Sequence, residues 1–251
     1  MIERSDEGAV GVIRMNYKPA NLLTTEFSDE LWNELVLARD DETIRAVVLT
    51  GTGTTFSAGV ELFRLVDGPA EYSRALLESL GVLFGGLRTF PKPVVAAING
   101  HAIAGGAVMA CACDYRVMAS GSGKIGLPEL AVGVPFPAIA LDTVRGTIPL
   151  RHHREVLLLG RSFSPDAAVE RGFVDEVAPP DAVIPRALEI AGRLGAIPAA
   201  TYALTKRQLA LPPGGAAELE DDLRAIWSSA ETRDHIRSYL KRTLGRSSAS
   251  E

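Results

Sequence analysis

The sequence predicts an α/β protein built around a largely parallel β-sheet. Two short runs are rich in β-branched and other apolar residues, each is followed by a loop that contains glycine, and helical patterns separate them. These runs are Ile44 to Thr50 and Pro93 to Asn99. Such runs are typical of strands that are buried on both faces of a parallel sheet. Strands that alternate with helices favour right-handed crossover connections.

A strand and a helix precede the first of these runs. Gly8 to Met15 has the pattern of a strand, and turn residues follow it as far as Asn21. We expect Ser28 to cap the next helix, because a serine hydroxyl can accept a hydrogen bond from the first helical turn. An apolar stripe between Leu31 and Val36 places one face of that helix on the core.

The middle of the chain adds one more strand and then becomes helical. Loops are expected over Gly51 to Gly59 and Gly100 to Gly106, with a helical stretch through about Leu87 between them. Asp114 to Ala119 is a third strand candidate. Helices dominate after about residue 135, apart from a short strand at Phe173 to Val177.

We divide the chain into residues 1–195, which hold all the predicted strands, and residues 196–251, which are helical. Helical periodicity covers Ala216 to Ser229 and Glu231 to Leu244. This late region is mostly polar but contains large apolar residues, which pack either on the core or in a subunit interface. They are Trp227, Ile236, Tyr239 and Leu240.

Composition and charge exclude several classes of protein. The 251 residues carry a formal net charge of -5 without basic blocks, which argues against nucleic acid or an anionic membrane as the main partner. No apolar run reaches the roughly 18 residues of a membrane helix. The acidic N-terminus does not have the pattern of a signal peptide. With only two cysteines, no disulfide framework is implied, and we expect a cytoplasmic protein.

The common cofactor and nucleophile motifs are missing. Gly51 and Gly53 resemble the start of a dinucleotide loop, but its third glycine is replaced by Phe56. Cys111 and Cys113 have no histidine pair at ligand spacing, so we expect buried thiols and no metal site. No P-loop is present either, so the sequence predicts neither a metal nor a cofactor.

Two glycine-bearing loops have two possible explanations. Ser57 to Gly59 follows one buried run and Ala104 to Ala107 follows the other. The carboxyl ends of parallel strands lie on one edge of a sheet, where ligands bind. Main-chain N–H groups from both loops could therefore form an oxyanion hole. Alternatively, the small residues only permit tight turns.

Over nearly its full length the chain resembles the crotonase, or enoyl-CoA hydratase/isomerase, superfamily. The likeness is carried by several motifs in the expected order, which are FSAGVEL from Phe56, KPVVAAING from Lys92, AGG from Ala104, CDYR from Cys113 and LPELAVG from Leu127. The resemblance implies an acyl-CoA substrate and a spiral of ββα units in residues 1–195. It also implies that residues 196–251 mediate a homotrimer, which often pairs into a hexamer.

The resemblance also implies roles for single residues. The oxyanion donors would be the main-chain N–H groups of Ser57 and Gly105. Ser57, Ala58, Gly59 and Val60 would line the CoA moiety. Hydratases of this superfamily hold a water between two glutamates; here the second is Glu129, but Val108 takes the place of the first.

Loss of one glutamate changes the chemistry that the residues allow. Adding water to a double bond needs one group to activate the water and another to supply a proton, and Val108 can do neither. Moving a double bond needs only one carboxylate that carries a proton between carbons. Glu129 alone therefore favours the Δ3,Δ2-enoyl-CoA isomerase branch, and hydrocarbon around it would raise its pKa. Read without the resemblance, Glu129 is a helix-capping or surface carboxylate.

Several alternatives stay open at this point. The superfamily also includes hydratases, decarboxylases, hydrolases and cyclases, and some relatives bind RNA or only bind acyl-CoA. Lys92 either contacts a CoA phosphate or is solvated, and Arg242 could reach a phosphate from a neighbouring subunit. Walls of the acyl pocket are expected from Phe63 to Leu87 and from Pro135 to Leu141.

Overall fold

Strands and helices alternate along the first 178 residues of the chain, and only helices follow; the computed structural model describes residues 1–211 and 215–244. The strands in this part of the chain are β1 (Ile2–Glu7), β2 (Val10–Met15), β3 (Ala46–Thr50), β4 (Thr55–Ser57), β5 (Val94–Ile98), β6 (His101–Ile103), β7 (Tyr115–Ala119), β8 (Ile125–Gly126), β9 (Ser162–Phe163) and β10 (Glu176–Ala178).

The α-helices in the described ranges are α1 (Thr25–Asp40), α2 (Leu62–Asp67), α3 (Ala70–Thr89), α4 (Gly105–Ala112), α5 (Glu129–Val132), α6 (Ala138–Thr147), α7 (Pro165–Glu170), α8 (Val183–Gly195), α9 (Ala199–Ala210), α10 (Glu220–Ser228) and α11 (Ala230–Leu244). Short 3-10 helices cover Leu150–His152 and Gly215–Leu219, and a π-helical turn covers Arg154–Leu158.

The larger sheet has the strand order β1-β2-β3-β5-β7-β10 and is parallel from β2 onward. Its central strands are buried on both faces, because neighbouring residues enter two different apolar clusters. In β3, Val47 and Leu49 belong to one cluster, and Ala46 and Val48 belong to the other. The first cluster includes residues of α1, α3 and α4, whereas α8 packs on the opposite face. This arrangement confirms the predicted α/β class and the predicted parallel sheet.

The chain also forms a second, smaller sheet that the sequence does not predict. Its order is β4-β6-β8-β9, with β4, β6 and β8 parallel and β9 antiparallel to β8. The predicted loops over Gly51 to Gly59 and Gly100 to Gly106 therefore each contain a short strand. Strands of two or three residues are too short to show a pattern in the sequence, so their prediction as loops is wrong.

The start of helix α1 and the strand β1 also differ from the prediction. Helix α1 begins three residues before Ser28, and Thr24 is its cap, since the Thr24 hydroxyl accepts a hydrogen bond from the Phe27 N–H at 3.1 Å. Ser28 is buried inside the helix. Strand β1 was not predicted, because it is a mostly exposed and polar edge strand.

The C-terminal helices are attached to the core through α9. The Lys206 ammonium group contacts the Asp114 carboxylate at 2.7 Å, and both side chains are largely buried. Beyond α9, Trp227 is 70% exposed and Ile236 is 44% exposed, so neither of them packs into the core of this chain. The side chains of Tyr239 and Leu240 lie outside the described residues. The domain boundary at residue 195 coincides with the end of α8 and stays a prediction.

Candidate active site

Three parallel strands bring the predicted site residues to one edge of the second sheet. Ser57 is the last residue of β4, Gly105 comes two residues after β6, and Glu129 comes three residues after β8. Because β4 pairs with β6 and β6 pairs with β8, all in parallel, their carboxyl ends lie side by side. The edge therefore assembles both predicted N–H donors and the predicted acid/base residue.

A main-chain hydrogen bond connects the loop that carries Gly105 with the loop that carries Glu129. The Ala104 N–H donates to the Gly126 carbonyl at 2.8 Å. Ala104 adopts φ 51° and ψ -123°, a conformation that residues other than glycine rarely adopt. Backbone strain of this kind clusters at functional sites and persists only where the surrounding structure enforces it.

The loop that follows β4 and the loop that follows β6 approach each other so closely that glycine is required. A Cβ atom on Gly106 would lie 2.3 Å from the Ser57 carbonyl oxygen. A Cβ atom on Gly59 would lie 3.2 Å from the Gly105 nitrogen, and Gly59 also has φ +87°. These contacts between main chains place the Ser57 peptide next to the first turn of α4. Gly105 begins that helix, and N–H groups in a first helical turn have no acceptor within the helix.

Glu129 is a buried carboxyl group with a raised pKa. The residue is 9% exposed, and its Oε2 atom has no hydrogen-bond partner among the described residues. Burial raises the pKa of this carboxyl from its ordinary 4.5 to about 7, although a hydrogen bond with its own main chain partly opposes the rise. Near neutral pH the group is therefore divided between its acidic and basic forms, as proton transfer in both directions requires.

Hydrocarbon lies close to the predicted donor Gly105. The position of a Cβ on Gly105 lies 2.7 Å from Leu23 Cδ1 and 3.7 Å from Phe84 Cζ. Val108, one turn further along α4, is 1% exposed. Phe84 belongs to the stretch predicted to line the acyl pocket, whereas Leu23 was not selected from the sequence. An environment of this kind strengthens hydrogen bonds and charge interactions, because it excludes water.

The Ser57 hydroxyl has a structural role. It donates to the Asn21 carbonyl at 2.7 Å and accepts a hydrogen bond from the Gly59 N–H at 3.2 Å. The Ala58 N–H donates to the Ala20 carbonyl at 3.0 Å. This leaves the main chain of Ser57, not its hydroxyl, as the candidate donor. Asn21 was not selected as a site residue from the sequence, because a turn residue gives no sign of which distant loop it contacts.

The structure contradicts both interpretations of Lys92 as a CoA contact or a solvated side chain. Its ammonium group donates to the carbonyls of Ala38 at 2.9 Å and Asp41 at 2.7 Å. Lys92 therefore stabilises the end of α1, where carbonyl groups lack helical partners. The side chain of Arg242 lies outside the described residues.

Other features of the described residues concern metals, thiols and membranes. Among these residues, no group of three or more His, Cys, Asp or Glu side chains could hold a metal ion. Cys111 and Cys113 are both buried, and burial raises the pKa of each thiol to about 12. A search of the same residues finds no helix with the length and apolar character needed to cross a bilayer. The predicted cytoplasmic location stays a prediction.

Comparisons with known proteins agree with the class of enzyme that this site defines, one that acts on acyl-CoA thioesters. Residues 5–224 match the Enoyl-CoA hydratase/isomerase family. Enoyl-CoA delta isomerase 1, mitochondrial, of Rattus norvegicus is 34% identical over 212 residues, which are 83% of this chain and 73% of that protein. The 2,3-dehydroadipyl-CoA hydratase of Escherichia coli is 27% identical over 227 residues and 88% of both proteins.

A solved structure gives the same result for the fold. The crystal structure of enoyl-CoA hydratase EchA3 from Mycobacterium ulcerans superposes with a TM-score of 0.78 at 31% identity and covers 89% of this chain and 95% of that chain. The chain belongs to the enoyl-CoA hydratase/isomerase family. It is an enzyme with isomerase- or hydratase-type activity on acyl-CoA, and the predicted crotonase fold is confirmed.

Proposed function

We propose that this enzyme moves the double bond of a 3-enoyl-CoA to the 2-position. A single observation supports this choice among the reactions of the family. Glu129 is a buried carboxyl with a pKa raised to about 7, while Val108 occupies the position at which hydratases of the family have their other glutamate. One carboxyl that changes protonation near neutral pH suits a reaction that removes and returns a single proton.

The proposed reaction has two proton transfers. The Glu129 carboxylate takes a proton from C2, and the electron pair of that C–H bond moves into an enolate on the thioester oxygen. The N–H groups of Ser57 and Gly105 donate to this oxygen, and one such donor contributes about 3–4 kcal/mol in other enzymes. The thioester carbonyl then re-forms and the enolate electrons between C1 and C2 move to form the C2–C3 double bond. The π electrons of the original C3–C4 double bond form the new C4–H bond with the proton of the Glu129 carboxylic acid. The enzyme returns to its starting state, and the reaction needs no cofactor beyond the CoA of the substrate.

Recognition of CoA is part of the same proposal. We propose that the main chain from Ser57 to Val60 lines the CoA moiety next to the thioester, and its position at the end of β4, at the edge where the proposed donors lie, supports this. We propose that helices α2, α3 and α6, which include most of the expected wall segments, surround the acyl chain. Their sequence would then set the acyl specificity.

The test compares two reactions and two variants. Purified enzyme is assayed for isomerisation of 3-enoyl-CoA and for hydration of 2-enoyl-CoA. Glu129→Gln should lower kcat for isomerisation by roughly 10²- to 10⁴-fold and leave the Kd for a saturated acyl-CoA unchanged. Glu42→Gln is the matched control. Glu42 is exposed and lies before the amino end of β3, whereas the predicted site residues lie at the carboxyl ends of strands. Rapid hydration with negligible isomerisation, or turnover retained by Glu129→Gln, would refute the proposal.

We propose further that the C-terminal helices assemble the enzyme as a homotrimer or as a hexamer made from two trimers. The family resemblance of residues 196–251 supports this proposal, and the large apolar side chains of Trp227 and Ile236 are exposed on two consecutive helices of that region, α10 and α11. Light scattering after gel filtration should give a trimeric or hexameric mass for the native chain. Trp227→Glu should reduce that mass and Leu37→Glu on α1 should not; a monomeric native chain would refute the proposal.

A further inference from the structure

Asn21 is a buried side chain whose hydrogen bonds all reach the polypeptide backbone. It is 3% exposed and has φ 51°. Its Nδ2 group donates to the carbonyls of Phe56 at 2.9 Å and Thr55 at 3.2 Å, and its Oδ1 atom accepts from the Tyr17 N–H at 2.7 Å. The amide side chain therefore joins the turn at Tyr17 to the strand that carries the proposed oxyanion donor.

The hydrogen bond to Phe56 has a direct consequence for Ser57. The Phe56 carbonyl and the Ser57 N–H belong to one planar peptide unit, and in a trans peptide they point in opposite directions. A donor that holds the carbonyl on one side therefore sets the direction of the N–H on the other. Asn21 makes a further contact with Ser57, because the main-chain carbonyl of Asn21 accepts a hydrogen bond from the Ser57 hydroxyl at 2.7 Å.

We propose that Asn21 is a positioning residue that orients the Ser57 N–H toward the thioester oxygen. The inference rests on the proposed function, since it assigns Asn21 to the same oxyanion site. Asn21 acts through the Phe56–Ser57 peptide and touches neither the substrate nor Glu129 in this proposal. A small rotation of that peptide would lengthen or bend the hydrogen bond to the developing oxyanion, and misplacement of about 1 Å can cost about 10²-fold in rate.

Two variants separate the side chain from the backbone that carries it. Asn21→Gly removes the amide and tolerates the positive φ. Asn21→Asp retains an acceptor for the Tyr17 N–H but presents an oxygen to the Thr55 and Phe56 carbonyls. Asn99→Ala is the matched control, because Asn99 also bridges a loop through its amide, by accepting from Gly51 at 2.9 Å and donating to Gly53 at 2.9 Å.

The readout is the polarisation of a bound thioester together with steady-state kinetics. Hexadienoyl-CoA is the probe, because hydrogen bonds to its thioester oxygen shift its absorption to longer wavelength. We expect both Asn21 variants to lose at least about half of this shift and to lower kcat roughly 10- to 100-fold, with the Kd for the probe changed less than about threefold. The Asn99 variant should retain the shift and kcat.

The outcomes distinguish this inference from the proposed function. If the native enzyme neither shifts the probe spectrum nor isomerises 3-enoyl-CoA, the proposed function fails. If the native enzyme does both and the folded Asn21 variants keep the full shift and kcat, the role of Asn21 is refuted. Reduced thermal stability with an unchanged spectrum would likewise refute it, because that result describes a purely structural residue. Circular dichroism and gel filtration verify that each variant is folded.

Discussion

The buried carboxyl of Glu129 should make the protein less stable as the pH rises toward neutrality. In the folded chain its pKa is raised from 4.5 to about 7 by burial, and in the unfolded chain it has its ordinary value. Below about pH 4.5 both states bind the proton, so Glu129 adds no pH-dependent cost. Between the two pKa values only the unfolded state ionises, which favours unfolding. Above about pH 7 both states are ionised and the cost is complete.

The size of this cost follows from the difference between the pKa values of Glu129 in the folded and unfolded chain. The two pKa values differ by about 2.5, and each pKa unit corresponds to about 1.4 kcal/mol, so the full cost is about 3 kcal/mol. Part of the cost is already present at about pH 5, so the change between about pH 5 and pH 8 is about 2 to 3 kcal/mol. This is a large fraction of the 5–15 kcal/mol by which folded proteins are typically stable.

Urea denaturation of the native enzyme and of Glu129→Gln measures the effect. All other titrating groups are common to both proteins, so the difference between their free energies of unfolding isolates Glu129. That difference should move in favour of the variant by about 2 to 3 kcal/mol between about pH 5 and pH 8, at one protein concentration. A difference that stays constant within about 0.5 kcal/mol would show that the folded carboxyl has an ordinary pKa, and the argument for a neutral-pH proton carrier would fail.

Three further substitutions test other parts of the structure. Gly106→Ala should destabilise the protein by about 2 kcal/mol or more, because the added Cβ would clash with the Ser57 main chain. Gly146→Ala in α6 is the control, because its Cβ would enter open space and should not destabilise the protein. Thermal denaturation compares the two variants. Lys92→Met should lower the free energy of unfolding measured in urea by about 2 kcal/mol and leave KM for the acyl-CoA unchanged. A raised KM would indicate that Lys92 contacts CoA after all. Val108→Glu should introduce measurable hydration of 2-enoyl-CoA, which Val108→Gln should not; equal hydration rates in both variants would contradict the two-carboxylate argument.

How much of the fold the sequence predicts depends on how much apolar surface each element buries. The strands β3 and β5 were predicted within two residues at each end, because both of their faces are buried and their sequences are almost entirely apolar. Strand β1 was missed because it has an exposed, polar edge. Strands β4 and β6 were missed because three residues between glycines cannot show a period.

The site divides in the same way between what the sequence shows and what it hides. Ser57, Gly105 and Glu129 were selected because each stands in a motif that resembles the family, and the structure places the three at one sheet edge. Lys92 was misread because a lysine between two prolines gives no indication of which carbonyl groups it contacts. Asn21 was not selected because its hydrogen bonds reach residues about 35 positions away, and such contacts exist only in the folded chain.

The short strands of the second sheet, which position Ser57, Gly105 and Glu129, are held in place by contacts with other parts of the chain. Three parallel strands of two or three residues would not be stable alone, so their positions must be imposed from outside. Main-chain contacts impose them: Gly106 lies against the Ser57 peptide, the Ala104 N–H binds the Gly126 carbonyl, and Asn21 holds the Phe56 carbonyl. None of these contacts involves the side chains of α2 or α6. Under the proposed function, substitutions in those helices can therefore change the proposed acyl pocket while the proposed oxyanion donors and Glu129 keep their positions. A chimaera carrying a relative's α2 should then alter the chain-length preference in KM and leave the pH dependence of kcat unchanged.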